Sequence, residues 1–90
     1  MAKDIDVDEE QLHRFIEALA AFQQVTVEKL QSVETSWNQC EQTWKGASKN
    51  QFTTEFVQTK QAIESALAAG DDAQKWLERF NEIVREFERY

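Results

Sequence analysis

The sequence predicts an all-α protein, an antiparallel hairpin of two long helices that dimerises into a four-helix bundle. Three observations carry this. Proline is absent and glycine occurs only at Gly46 and Gly70, too little punctuation for strands joined by turns. Glu, Gln, Ala, Lys, Arg and Leu are abundant, and these residues lose least on entering a helix. Apolar residues recur at alternating three- and four-residue steps in both halves. The 90 residues suit a single helical-hairpin domain, residues 1–90.

Helix one is expected over about residues 7–44. Asp6 and Glu9 stand at capping-box spacing, and Asp8 and Glu10 add negative charge where the helix dipole favours it. Leu12, Phe15, Leu19, Phe22 and Thr26 form the first part of an apolar row. Leu30, Val33, Trp37, Cys40 and Trp44 continue it after a four-residue step where three was due, a stutter that locally unwinds a supercoil. No breaker interrupts this stretch.

The turn is expected over about residues 45–48. Gly46 accepts a left-handed backbone and can end the first helix. Ser48 supplies an N-cap for the second, with Gln51 completing a capping box. Helix two is expected over about 49–89. Its heptad row reads Phe56, Thr59, Ile63, Ala66, Gly70, Ala73, Leu77, Phe80, Val84 and Phe87. A second row lies one residue earlier: Ala62, Ala69, Trp76, Ile83 and Tyr90. The apolar face therefore covers about three positions in seven, wider than one partner helix covers. Because the phase runs through Gly70 unchanged, helix two is read as continuous there; the alternative is a break at Gly70, with Asp71 and Gln74 capping a fresh helix. Gly70 costs roughly 1 kcal/mol against Ala, and close approach of Ala66, Gly70 and Ala73 to Leu19 and Phe22 would offset it.

Charge and composition exclude several functions. The net charge of −7 opposes binding to nucleic acid. No apolar stretch is long enough for membrane insertion, and no signal peptide opens the chain, so synthesis in the cytoplasm is expected. One cysteine, Cys40, and one histidine, His13, allow neither an internal disulfide nor a zinc site. Cys40 reads as a small buried hydrophobe and His13 as a surface residue. They are roughly 40 Å apart along a helix, which rules out a nucleophile–base pair. Asp71–Asp72 and Glu86–Glu88 read as solvated helix faces, since acid–base carboxylates need a cleft that separates their pKa values. The chain is expected to be no enzyme and to hold no cofactor.

Trp44-Lys45-Gly46 stands at the midpoint of this acidic helical chain, with Phe15 and Phe22 before it. Trp37 lies seven residues before Trp44, and Phe52 and Phe56 follow the turn. In these features the sequence resembles the hundred-residue Trp-X-Gly (WXG, ESAT-like) family associated with type VII secretion, over nearly its whole length. The resemblance implies a hairpin that dimerises, as a secreted substrate or as an escort that carries an effector to secretion machinery. Family members often carry a tyrosine followed four residues later by an acidic residue after helix two. Tyr90 is the final residue, and Trp76 and Phe80 are followed four on by Phe80 and Val84. The expectation is that an export signal sits on a heterodimer partner or that the protein stays in the cell as a structural or regulatory bundle.

Trp44 is expected to pack over the turn, with recognition by machinery as its second possible role. Trp37 is expected in the core. Trp76 is the expected anchor of an assembly interface with Ile83, Phe87, Phe80 and Tyr90, because large aromatics dominate interface energies. The end of helix two is expected to be the least covered part of a lone hairpin, since only Ile5 and Val7 are apolar across from it. A homodimer is the first expectation and a heterodimer with a related hairpin protein the second.

Overall fold

A computed structural model describes residues 6–88. Ile5 and Tyr90, invoked above, lie outside the described residues. Two helices, α1 (Glu9–Thr43) and α2 (Ala47–Glu88), run antiparallel. The molecule is a rod of 67 × 18 × 14 Å, and among the described residues there is no strand.

Helix α1 starts two residues later than its first acidic residues suggested. Asp8, not Asp6, is the N-cap: its carboxylate accepts from the Gln11 backbone N–H at 3.0 Å. Glu9 and Glu10 then occupy the first turn, where their charge complements the dipole. Glu9 also pairs with Arg85 at 3.1 Å and so ties the start of α1 to the end of α2.

The turn is shorter than expected. Trp44 leaves the helix in an extended conformation, with its N–H donating to Glu41 O at 3.3 Å. Gly46 has φ +112°, and its carbonyl accepts from Lys49 N at 3.2 Å, so it precedes α2 rather than ending α1. Ser48 is not the cap. It lies inside the first turn of α2, where its hydroxyl accepts from the Trp44 indole N–H at 3.2 Å. A Cβ at Gly46 would meet no atom within 4 Å, so only the backbone objects to a side chain there. Gly46→Val is accordingly expected to lower stability by about 1–2 kcal/mol. Gly46→Ala should lose most of the same amount in a thermal melt. An unchanged melt for both would mean that the turn does not hold this conformation.

The helices meet along a seam that differs from the row read in the sequence. On α2 it consists of Thr53, Phe56, Lys60, Ile63, Leu67 and Gly70, continuing through Gln74, Leu77, Asn81 and Val84. Every second member is displaced by one residue. Thr59, Ala66, Ala73 and Phe87 are exposed, and Lys60, Leu67, Gln74 and Asn81 take the inner positions. On α1 the seam runs through Leu12, Ile16, Leu19, Gln23, Leu30 and Glu34 to Trp37 and Trp44, leaving Phe15, Phe22, Val33 and Cys40 exposed. Cys40 is thus no buried hydrophobe: the seam passes through Trp37 and Glu41 on either side of it.

Polar bonding across the seam explains the displacement. Lys60 Nζ lies 2.6 Å from Glu34 Oε2 between Phe56 and Ile63. That hydrogen bond, and then the carboxylate's charge, raise the Lys60 pKa above the ordinary lysine range. A raised pKa means the pair contributes fully at neutral pH and is lost only as alkali passes the raised value. Gln23 Nε2 donates to Leu67 O at 2.9 Å. Its amide lies over Gly70, where a Cβ would collide with it. The close approach expected at Gly70 is therefore real, but its neighbour is Gln23 rather than Leu19 or Phe22. Helix α2 is continuous through it.

This places a propensity gain against a contact. Gly70→Ala alone should change stability little, because the roughly 1 kcal/mol of helix propensity is offset by displacing the Gln23 amide. Gly70→Ala with Gln23→Ala removes the obstacle. Comparison of the double variant with Gln23→Ala alone should recover about 1 kcal/mol in a chemical denaturation. No recovery would remove Gln23 as the reason for the glycine.

Candidate interaction face

The buried apolar core is small: Leu12, Ile16 and Val84, with Leu77 and Phe80 packed against them. It lies at the open end of the hairpin. The end of α2 is therefore the best covered part of the seam, contrary to the sequence expectation, because Leu12 and Ile16 reach it from α1. Asn81 is buried there with its side-chain oxygen unpartnered. At the turn end, Trp37 packs against Trp44, Phe52 and Phe56 with ring centroids 5.1–6.1 Å apart. Trp44 stacks on Phe52 at 5.6 Å. Trp37 lies on the seam but is only half-buried, outside the buried core expected for it, and Trp44 packs over the turn. Such aromatic pairs add about 0.5–1.5 kcal/mol each beyond their area.

Between these ends the two broad faces of the hairpin differ. One carries His13, Glu17, Asp71, Glu78, Glu82 and Arg85 beside the seam. The other presents Phe15, Phe22 and Val33 from α1. From α2 it presents Ala66, Ala73, Trp76, Ile83 and Phe87, with Phe80 half-buried. Phe22 and Trp76 remain 63% and 64% exposed. Trp76 stacks on Phe80, with centroids 5.3 Å apart, and this stack orients the indole. A cleft of about 210 Å³, lined by Thr26, Lys29, Leu30, Val33, Phe56, Thr59, Lys60 and Ile63, opens on this face. Its walls are almost wholly apolar, since both lysines contribute their stems.

The expected site residues therefore fall into two groups. Trp76, Ile83, Phe87 and Phe80 share the end of one apolar face. Trp44, Lys45 and Gly46 form the turn at the opposite end of the rod. Phe15, Phe22 and Val33 on α1, which the periodicity places on the seam, instead extend the apolar face. The seven-residue row of Phe15 and Phe22 leads on to Lys29 and Ser36, a signal that separates these two phenylalanines from the true seam. Among the described residues, no His, Cys, Asp and Glu side chains gather in a group able to hold a metal ion. None of the described helices is long and apolar enough to cross a membrane. Comparison with protein families, curated proteins and solved structures finds no match to this chain.

Proposed function

We propose that the chain is a non-enzymatic interaction protein whose hairpin packs its apolar face against a partner hairpin, forming a four-helix bundle. The observation that supports this most directly is the face itself. Eight large hydrophobic side chains on it stay about half exposed: Phe15, Phe22, Val25, Val33, Phe52, Trp76, Ile83 and Phe87. At roughly 200 Å² for an aromatic side chain and somewhat less for an aliphatic one, they leave about 700–800 Å² in water. That is about what one partner contributes to an interface of standard size.

The biological role follows the resemblance: a type VII (ESAT-like) secretion substrate or effector-escort of the Trp-X-Gly kind. Trp44-Lys45-Gly46 at the tip, with the Trp44 indole bonded to Ser48, supports that reading. The first test is the solution mass of the purified chain by light scattering. A dimer, or a stable complex with a co-expressed related hairpin, is expected; a well-folded monomer at high micromolar concentration removes the proposal. The second test is expression in a host with an active type VII system. Appearance in the medium, lost on Trp44→Ala with folding intact, supports secretion. Retention with the dimer intact supports the alternative, an intracellular structural or regulatory bundle.

A further inference from the structure

On its polar side the seam opens into a groove of about 400 Å³, lined by His13, Glu17, Glu78, Asn81, Glu82 and Arg85. Ile16 and Ala20 give it an aliphatic wall. The groove lies on the face opposite Phe22 and Trp76, so covering the apolar face leaves it open. Two of its features do nothing for the hairpin itself. The first is Asn81, only 8% exposed, whose side-chain oxygen finds no donor in the chain. A buried acceptor without a donor forfeits the bond it makes to water in the unfolded chain. Leucine, of nearly the same shape, would carry no such loss.

The second feature is charge. Glu17, Glu78 and Glu82 bring three carboxylates to one groove. The guanidinium beside them, Arg85, is turned to Glu9 at 3.1 Å. Glu78 and Glu82 stand four residues apart on one helix, where like charges repel. Glu78 takes an amide N–H from Gln74 at 3.2 Å, and Glu17 faces His13 at 3.4 Å. Glu82 makes no ion pair among the described residues.

We infer that the groove receives an arginine side chain from a basic segment of a partner protein. The site does not depend on how the apolar face assembles. Its occupant must be cationic to offset the carboxylates. It must also bring N–H donors, because ionised carboxylates and an amide oxygen only accept. A single metal ion does not fit: among the described residues, no three His, Cys, Asp or Glu side chains converge closely enough to hold one. A guanidinium spreads its charge over a plane and offers five donors in a fork. That is enough to bridge carboxylates that stand apart and still supply the Asn81 oxygen. The last torsion of an asparagine side chain is broad, so the amide can turn its oxygen toward a donor entering the groove it lines. The aliphatic stem of the arginine would lie along Ile16 and Ala20.

The surroundings favour a protein segment over the free amino acid, whose own carboxylate would meet Glu17, Glu78 and Glu82. Past Ala20 a second groove of about 430 Å³ continues between the helices over Val27, Leu67 and Ala68. Its one carboxylate, Asp71, is already paired with Lys75 at 3.3 Å. The two grooves run from His13 to Val27, about 20 Å of helix, the length of about six extended residues. Uncharged residues next to the arginine would lie in the second groove.

The test titrates a synthetic hexapeptide, Arg-Ala-Arg-Ala-Ala-Ala, acetylated and amidated, into the isotope-labelled full chain while the amide resonances are followed. Resonances around Ile16, Ala20 and Asn81 should move and saturate. Glu78→Gln with Glu82→Gln should weaken binding about ten-fold or more, the worth of a charged hydrogen bond. Glu28→Gln with Glu55→Gln removes the same charge at exposed positions outside the groove, and should change binding by less than about two-fold. Asn81→Leu should weaken binding about ten-fold while the thermal melt stays at or above that of the unmodified chain. A packing role for Asn81 would not give that combination. The same peptide with lysines should bind several-fold more weakly, having no fork. Equal losses in the two glutamine pairs would reduce the binding to net charge and overturn the proposal. Unchanged affinity in Asn81→Leu would overturn it too, since the carboxylates alone make an ordinary solvated face. Equal binding of the lysine peptide would overturn guanidinium recognition, and no saturating shift at millimolar peptide would overturn the site. The glutamine substitutions are at exposed positions and decide the matter even where Asn81→Leu fails to fold.

Discussion

Replacing Trp76 and Ile83 together with glutamate is expected to convert the assembled chain into a helical monomer. Trp76 is 64% and Ile83 44% exposed in the hairpin, and Trp76 touches Phe80 as its aromatic neighbour. Neither substitution removes a seam contact that holds α1 to α2. Both place carboxylates where the apolar row would be desolvated. Losing the burial of two large side chains per protomer should weaken association by at least about 5 kcal/mol, several thousand-fold in dissociation constant. Light scattering should report half the wild-type mass at equal concentration, with the dichroism spectrum largely kept. A double variant of unchanged mass would place the interface elsewhere, and the turn-end aromatics would be the next surface to examine.

The second large effect is expected at the opposite kind of position. Val84 is 2% exposed and packs with Leu12 and Ile16. Val84→Asp would put an unpaired carboxylate into the best-buried point of the hairpin, beside an Asn81 oxygen that already lacks a partner. A loss of about 4 kcal/mol or more is expected, against roughly 2 kcal/mol for Val84→Ala. In a domain whose buried core is this small, that should unfold most of the chain at 37 °C. Thermal denaturation followed by dichroism would show it. A melt within a few degrees of wild type would mean that the open end is not packed in solution.

The two variants separate the exposed row from the buried seam, and that distinction is also where the sequence misled. The elements themselves were legible. With glycine only at Gly46 and Gly70, and the apolar phase unbroken through Gly70, the turn falls at Trp44-Lys45-Gly46. The seam was not legible, because hydrophobicity favours Phe80 and Phe87 over Asn81, and Ala66 over Leu67 only by the phase chosen. A periodicity count weighs each residue alone. It cannot see that Lys60 finds Glu34, or that Gln23 finds the Leu67 carbonyl, from a helix more than twenty residues away in sequence. Those bonds make polar positions acceptable inside the seam and leave the apolar row uncovered by α1. Cys40 was misplaced for the same reason: the expected row ran one residue away from Glu41. Of the residues the sequence suggests for an interface, Trp76, Ile83 and Phe87 are exposed and Phe80 is half-buried. Phe15, Phe22 and Val33, seam residues by periodicity, are exposed on the same face.

The placement of the aromatic cluster at the turn and the aliphatic core at the open end bears on how the chain finds its fold. Trp37, Trp44, Phe52 and Phe56 are near neighbours in sequence, so gathering them closes only a short loop. Bringing Leu12 to Val84 first would close nearly the whole chain, at about 1.4 kcal/mol more in loop entropy. Folding should therefore begin at the tip and zip toward the termini, each rung shortening the closure that the next requires. The last rung is the tightest, with Leu12, Ile16 and Val84 buried and Arg85 paired to Glu9. A zipper that fastens hardest at its free end resists fraying where a hairpin is ordinarily weakest. Amide exchange in the first turns of α1 should then be slower than in its middle, around Thr26 and Val33, where the cleft leaves the ladder open to water.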